Sequence, residues 1–160
     1  MEIELVQVEE TKSTNNYAKK LYFEKKYNSD FCLVAYQQTA GKGQLGATWE
    51  AEPGKNLTFS LVLQNLNLHV NDQFKLSALV SLNLVEALKN LNLRKVKLKW
   101  PNDIIIDNYK VAGILIETII REQVVKSVII GIGLNVNQLD FKGIPKASSL
   151  KKITGINYYL

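Results

Sequence analysis

Residues 95–132 read KVKLKWPNDIIIDNYKVAGILIETIIREQVVKSVIIGI, and this stretch decides the expected fold. From Lys95 to Trp100 lysines alternate with apolar residues, so the two kinds of side chain would occupy opposite faces of a strand. Three more apolar segments follow, with short turns between them: 104–107, 110–120 and 124–132, with turns at Asn108-Tyr109 and Arg121-Glu122. Strands joined by short turns predict antiparallel pairing.

Upstream of this stretch, strands alternate with two helices. Ser13 is suited to cap a first helix that is expected to run to about Lys26. Leucines and valines at every fourth residue predict a second, amphipathic helix from 72 to about 92. Strands are predicted at 2–8, 31–37 and 57–64, and the glycine-rich segment 38–55 is predicted to be a loop. This order predicts an α+β domain with a mixed, largely antiparallel sheet and flanking helices.

Composition excludes several classes of protein. With 160 residues, 46% of them hydrophobic, the chain suits one folded domain. The single cysteine, Cys32, and the single histidine, His69, exclude an intramolecular disulfide and a Cys/His metal cluster. The N-terminus lacks a signal-peptide pattern and no apolar run is long enough to span a bilayer, which predicts a cytoplasmic protein without membrane contact.

Charge is distributed unevenly along the chain. Residues 1–80 carry 8 basic and 9 acidic groups, whereas residues 81–160 carry 12 and 6. The second half therefore provides a local positive field that suits an anionic ligand at least as well as a nucleic acid. Because aromatic residues do not alternate with Lys95, Lys97 and Lys99 as on a stacking platform, a nucleic-acid binder is the weakest alternative.

The segment 41–46, GKGQLG, satisfies the pattern G-x-G-x-x-G. A dinucleotide-binding motif would begin a helix there, but Trp49, Pro53 and then a strand follow. A protein kinase is excluded as well, since the sequence has neither His-Arg-Asp nor Asp-Phe-Gly. Backbone N–H groups beside Lys42 could still bind a phosphate or carboxylate, and the alternative is a flexible surface loop.

Three other polar motifs each have a structural explanation. Ser13-Thr14-Asn15 can simply cap a helix, and the Lys99–Asp103 motif can be a solvated strand edge with Trp100 in the core. Gly131–Asn135 can be a bulged strand end or a close backbone approach to a flat ligand such as adenine. Taken singly, none of them identifies a function.

Together, the motifs are similar to those of a known family. Five stand in order at compatible spacing: STN at 13–15, QTAGKG at 38–43, KWPND at 99–103, KVAGILIE at 110–117 and GIGLN at 131–135. The chain resembles the catalytic domain of biotin protein ligases. This implies a fold related to class II aminoacyl-tRNA synthetases, and an ATP-dependent enzyme that forms biotinyl-5′-AMP and transfers biotin to a lysine of a biotin carboxyl carrier protein.

The resemblance also implies site residues, with biotin, ATP and Mg²⁺ as ligands. Biotin would contact Ser13, Thr14, Asn15, Gln38, Lys42, Gly43, Gln44, Gly113 and Leu115. The nucleotide would contact Gly41, Lys42, Gly43, Trp49, Asn102, Lys110 and Asn135. Lys99 is expected to be the catalytic lysine, whose charge would stabilise the attack of biotin carboxylate on the α-phosphorus. Asp103 is the candidate for magnesium, with a plain turn residue as the alternative.

The sequence departs from the family pattern in the glycine-rich loop. Where the family usually has three arginines, this chain has Lys42, Gln44 and Ala47, which weakens anion binding by side chains. We also expect residues 1–160 to form one catalytic domain with a shortened C-terminal end, without an N-terminal DNA-binding domain or a C-terminal β domain, and hence no DNA partner. A homodimer is left open. The alternatives are a weakly active or non-catalytic binder of biotin or its adenylate, and a lipoate ligase.

Overall fold

The computed structural model describes residues 3–160, so Glu2 of the strand predicted at 2–8 lies outside the described residues. Ten strands form within that range. In chain order they are β1 (Glu4–Thr11), β2 (Phe31–Gln38), β3 (Gly41–Lys42), β4 (Thr48–Trp49), β5 (Asn56–Leu63), β6 (Leu68–His69), β7 (Val96–Lys99), β8 (Asp103–Ile106), β9 (Tyr109–Arg121) and β10 (Val124–Asn135). Eight of them make one sheet, and β3 and β4 make a separate hairpin.

The sheet has the order β1-β2-β5-β10-β9-β8-β7, with the short β6 paired to β10. β1 pairs with β2 in parallel, and the other pairs are antiparallel. The parallel pair arises because the first helix connects β1 to β2, whereas short turns connect β7 through β10. The predicted mixed, largely antiparallel sheet is confirmed.

Three helices flank the sheet: α1 (Thr14–Phe23), α2 (Gln73–Asn90) and α3 (Leu150–Thr154). Ser13 caps α1, as predicted, by accepting a hydrogen bond from the Asn16 backbone N–H at 3.5 Å. This helix ends at Phe23 instead of about Lys26, because Lys25 has a positive φ of 51°. The sequence did not predict α3.

The two long helices pack on opposite faces of the sheet. Ala18 and Leu21 of α1 pack with Phe31, Leu33, Val62 and Ile129 in one cluster. Val85 and Leu88 of α2 pack with Ile104, Ile106 and Ile114 in the other. Alternation along β9 and β10 therefore places Gly113 and Gly131 on the α1 face, with Ile114 on the α2 face.

Both turns of the β8–β10 region lie one residue away from their predicted positions. The β8–β9 turn is Asp107-Asn108, with φ of 48° and 72°, and the β9–β10 turn is Glu122-Gln123, with φ of 50° and 64°. Two consecutive positive φ values are typical of type I′ turns, whose twist matches that of the strands they join. Because strand pairing sets this register, polar composition alone misplaced both turns.

The predicted loop at 38–55 is also partly wrong. Gly41 pairs with Trp49 and Lys42 with Thr48, so β3 and β4 form a hairpin around a single 3₁₀ turn at Gln44–Gly46. The Gly43 N–H donates to the Ala47 carbonyl at 2.7 Å. The glycine-rich segment therefore carries Trp49 at a defined position over the sheet.

No helix within residues 3–160 is long and apolar enough to cross a lipid bilayer.

Candidate active site

A cleft of about 340 Å³ opens on the α1 face of the sheet, between the start of α1 and the β3–β4 hairpin. Its floor is formed by glycines of β9 and β10. Thirteen of the predicted site residues line it: Ser13, Thr14, Asn15, Gln38, Lys42, Gly43, Gln44, Trp49, Asn102, Asp103, Lys110, Gly113 and Leu115. Three do not: Gly41, Lys99 and Asn135. The fold thus brings residues of all five sequence motifs to one cavity, including Gly131 and Gly133 of the last motif.

The first turn of α1 fixes the amide of Gln38. The Thr14 backbone N–H and its hydroxyl both donate to Gln38 Oε1, at 2.8 and 3.1 Å. The N–H groups of a first helical turn have no partner within the helix, so Gln38 satisfies one that would otherwise be unpaired. With Oε1 occupied twice, the Gln38 Nε2 amide is left as the donor for a ligand in the cleft.

Asn15 lines the cleft, yet its side chain bonds to protein. Its Nδ2 donates to the Leu115 carbonyl at 3.2 Å and to Glu117 Oε2 at 2.9 Å, while its Oδ1 accepts from the Ser60 hydroxyl at 2.7 Å. Both donor hydrogens of the amide are therefore used within the protein. Asn15 is therefore an internal link in this structure, and its expected contact with biotin stays a prediction.

Strand β5 contributes residues that sequence reasoning missed. Its leucines and Phe59 form one strongly apolar face in the sequence, but the buried side chains include Thr58 and Ser60, 3% and 0% exposed. Thr58 lines the cleft and donates to the Ala35 carbonyl at 3.0 Å, and Ser60 bonds Asn15. Alternation of polar with apolar residues is ambiguous here because the polar face of β5 packs under α1.

The indole of Trp49 lies directly on the glycine floor. A Cβ added to Gly133 would come within 2.3 Å of Trp49 Cε2, and one on Gly113 within 3.0 Å of Cζ3. A Cβ added to Gly43 would have its nearest contact at 3.3 Å, from the Ala47 Cβ, so the chain itself does not demand glycine there as strictly. The strict requirement lies beneath Trp49.

Two buried polar atoms lack partners beside this floor. Trp49 Nε1 and Asn135 Oδ1 make no hydrogen bond within the described part of the chain. Asn135 Nδ2 donates to the Ser148 carbonyl at 3.0 Å, which fixes which way the amide points. Trp49 lines the cleft and Asn135 does not, so the unpaired indole N–H is the one of the two that belongs to a cleft residue.

Two lysines approach Asp103 from different places. Lys110 Nζ lies 2.7 Å from Asp103 Oδ1, and Lys99 Nζ lies 3.6 Å from Oδ2. The Lys99 side chain, on the edge strand β7, is 65% exposed and outside the cleft lining, whereas Lys110 is 35% exposed and lines the cleft. Lys110 Nζ also lies 5.6 Å from the centroid of the Trp49 ring. Of the two lysines that pair with Asp103, Lys110 is therefore the one that lines the cleft, as Lys42 also does.

Other polar and charged groups near the cleft bind to protein. Lys95 pairs with Asp107 at 2.7 Å, and this hydrogen bond and the attraction between the charges hold the pKa of Lys95 above its usual value. Lys42 donates to Asn16 Oδ1 at 3.1 Å across the mouth of the cleft. Asn102 donates to the Ile114 carbonyl at 3.1 Å, which anchors the β7–β8 turn against β9.

The donor set around Asp103 does not resemble a magnesium site. Both of its carboxylate oxygens face lysine ammonium groups. Among residues 3–160, no group of three or more His, Cys, Asp or Glu side chains is placed to hold a metal ion. Magnesium prefers unpaired carboxylates together with phosphate and water oxygens. The residues present therefore do not support the expected metal role of Asp103.

Comparison with known proteins matches most of the chain to one family. Residues 8–135 match the model of the biotin/lipoate A/B protein ligase family. The bifunctional ligase/repressor BirA of Bacillus spizizenii is 39% identical over 128 residues, covering 77% of this chain and 39% of that protein. The biotin--[acetyl-CoA-carboxylase] ligase of Mycobacterium tuberculosis is 32% identical over 121 residues, covering 74% and 44%.

Among solved structures, the biotin protein ligase from Aquifex aeolicus in complex with biotin and ATP superposes with a TM-score of 0.75 at 32% identity. The superposition covers 98% of this chain and 63% of that one. The chain thus spans about two fifths of the length of the two curated relatives named above.

Proposed function

Because the chain belongs to the biotin/lipoate A/B protein ligase family, we propose that it is the catalytic part of a biotin protein ligase. It joins biotin to ATP as biotinyl-5′-AMP and then transfers the biotinyl group to a lysine of a biotin carboxyl carrier protein. The observation that carries this proposal is the cleft itself, in which neutral donors and acceptors stand at one end and a lysine beside an aromatic ring at the other.

The neutral end suits the ureido ring of biotin. That ring has two N–H donors and one carbonyl acceptor, so its site needs both acceptors and donors. Gln38 Nε2 and the Ser13 hydroxyl can donate, and the Thr14 hydroxyl oxygen, whose proton goes to Gln38, can accept. We assign Leu115 and Gly113, whose strand forms the floor, to the backbone contacts with biotin.

The charged end suits the reacting groups. In the first step a biotin carboxylate oxygen attacks the α-phosphorus of ATP, and the bond to pyrophosphate breaks as the new P–O bond forms. Two anions must approach each other, so a fixed cation there lowers the barrier. We assign this role to Lys110, in place of the expected Lys99, because Lys110 lines the cleft beside Asp103 and the Trp49 ring. The other lysine in the lining, Lys42, donates to Asn16.

We assign the nucleotide base to the part of the cleft beside Trp49, whose indole lies on the glycine floor. In the second step the acceptor lysine amine attacks the acyl carbon, the amide forms, and AMP and a proton leave. ATP binds Mg²⁺ through its phosphates in most enzymes, and we propose that any magnesium arrives in that form instead of on Asp103.

A thermal-shift screen combined with pyrophosphate exchange tests the function. We expect biotin to raise the melting temperature, since a ligand that binds only the folded state stabilises it. Exchange of labelled pyrophosphate into ATP should then depend on biotin. Stabilisation by biotin without exchange would instead identify a binding protein, and exchange that depends on lipoate would identify a lipoate ligase.

Gln44 gives a prediction about retention of the intermediate. Gln44 and Ala47 line the cleft where the family usually has arginines, so fewer charged hydrogen bonds hold the adenylate phosphate. We expect Gln44→Arg to slow release of biotinyl-5′-AMP by about 10-fold to 100-fold, the value of one charge-assisted hydrogen bond. The measurement is the dissociation rate of radiolabelled adenylate, supported by labelling of an unrelated lysine-rich protein.

Gln44→Ala is the matched control, since it removes the amide without adding a charge. Diffuse labelling should fall in Gln44→Arg and persist in Gln44→Ala. An unchanged dissociation rate in Gln44→Arg would show that the side chain at position 44 does not control retention.

A further inference from the structure

Glu117 lies behind the cleft, on the same face of β9 as Gly113 and Leu115, and the cavity lining does not include it. Its two carboxylate oxygens hold two residues of α1. Oε2 accepts from Asn15 Nδ2 at 2.9 Å, and Oε1 accepts from Lys19 Nζ at 3.4 Å. Asn15 and Lys19 are four residues apart and so lie on one side of the helix. A single acid thus ties the first two turns of α1 to the middle of the sheet.

Asn15 extends this link to two other strands, β5 and β10. Its amide also bonds the Leu115 carbonyl of β9 and the Ser60 hydroxyl of β5. It rests on Gly131 of β10, where an added Cβ would lie 2.2 Å from Asn15 Oδ1. Asn15 is 3% exposed and Ser60 is fully buried, so these bonds are shielded from water. The Asn15 part of the link therefore holds its geometry more firmly than a surface pair would, while the Glu117 side chain is 31% exposed.

The link ends one residue from the proposed biotin contacts. Thr14 precedes Asn15 and donates twice to Gln38 Oε1, which decides that Gln38 presents its Nε2 to the cleft. If α1 shifted by a fraction of its rise per residue, both Thr14 bonds would lengthen and the Gln38 amide could rotate. A rotated amide would present an acceptor where the ligand needs a donor.

We propose that Glu117 is a positioning residue for ligand recognition. Through Asn15 it sets the start of α1, and through Thr14 it sets the donor orientation of the Gln38 amide. The inference deepens the proposed function and rests on it for the identity of the ligand. The network of Glu117, Asn15 and Ser60 touches no reacting group, so its effect falls on recognition of biotin and not on the chemical step.

Steady-state pyrophosphate exchange with three variants tests the inference. We expect Glu117→Ala to raise the KM for biotin by about tenfold or more, which is the scale of losing one charge-assisted hydrogen bond. The kcat and the KM for ATP should stay within about threefold of the parent values. Glu117→Gln keeps an oxygen that can accept from Asn15 and should restore most of the lost affinity. Equal losses in kcat and in both KM values would mean a merely structural role and would overturn the proposal.

Thr118→Val is the matched control. Thr118 is the next residue of β9, faces the opposite side, and donates to Gln73 Oε1 of α2 at 2.9 Å. The variant removes one neutral hydrogen bond between the same strand and a helix, so its melting temperature should fall as well. We expect its KM for biotin to stay at the parent value, and a rise equal to that of Glu117→Ala would overturn the proposal.

Hydrogen exchange of the Thr14 backbone amide tests the link without a ligand. This amide donates to Gln38 Oε1. We expect its exchange to accelerate by about tenfold or more in Glu117→Ala, the scale of losing one hydrogen bond. In Thr118→Val its exchange should stay unchanged. Unchanged exchange in Glu117→Ala would overturn the inference whatever the chain binds. Accelerated exchange in a protein whose parent form does not bind biotin would support the link and overturn the proposed function instead.

Discussion

Replacing Lys110 with methionine should lower the rate of adenylate formation by about 100-fold or more, because one preorganised charge is lost from the transition state. The affinity for biotin should stay within about threefold of the parent. Methionine keeps most of the aliphatic stem, so the packing against Trp49 is largely retained. Pyrophosphate exchange measures the first quantity and isothermal titration with biotin measures the second.

The matched control for this experiment is Lys99→Met. Lys99 pairs with the same carboxylate as Lys110 but points outward from the edge strand. Exposed ion pairs contribute little, so this variant should lose less than about fivefold in exchange rate. Equal losses in the two variants would mean that both lysines serve Asp103 alone. Full activity of Lys110→Met would remove Lys110 from the mechanism.

Lys110 is also well placed to act as a fixed charge. Its backbone N–H donates to the Lys146 carbonyl at 2.7 Å, and its carbonyl accepts from the Ser148 N–H at 2.9 Å. The segment containing Lys146 and Ser148 therefore clamps this residue on both sides at the start of β9. A charge that is held before the reaction begins stabilises a transition state without further reorganisation.

Gly133→Ala should reduce adenylate formation by about 100-fold, because its methyl group expels the Trp49 indole from the floor of the cleft and misplaces the nucleotide. The Cβ of the alanine would overlap the indole ring, and the ring carries the Lys110 cation above it. Biotin binding at the opposite end of the cleft should change by less than about threefold. Exchange kinetics at varied ATP and titration with biotin measure the two effects.

A double-mutant cycle identifies the cause of that loss. If Gly133→Ala acts through Trp49, it should cause little further loss in a Trp49→Ala background, since the colliding ring is gone. Additive losses would show that the glycine serves another purpose, such as direct backbone contact with a ligand. Circular dichroism of each variant establishes that the fold persists.

The sequence alone predicted the helices and strands that depend on local physics. Apolar residues at every fourth position predicted α2, and alternation of lysines with apolar residues predicted β7, because helical and extended chains have fixed side-chain periods. Ser13 predicted the start of α1 because its side chain can cap a helix. Five motifs in order also predicted the family. The turns at Asp107-Asn108 and Glu122-Gln123 were displaced by one residue, because strand pairing outweighed turn composition.

The tertiary structure alone decided which polar groups meet in the site. Lys99 and Lys110 lie on either side of Asp103 in the sequence, and only the strand order places one at the sheet edge and the other in the cleft. Asn15 and Glu117 are 102 positions apart, so no local pattern could pair them. The periodicity of a sequence shows the face on which a side chain lies. Which residue that side chain contacts depends on how elements distant in sequence pack together. This long-range packing pairs Glu117 with Asn15 and places Lys110 in the cleft.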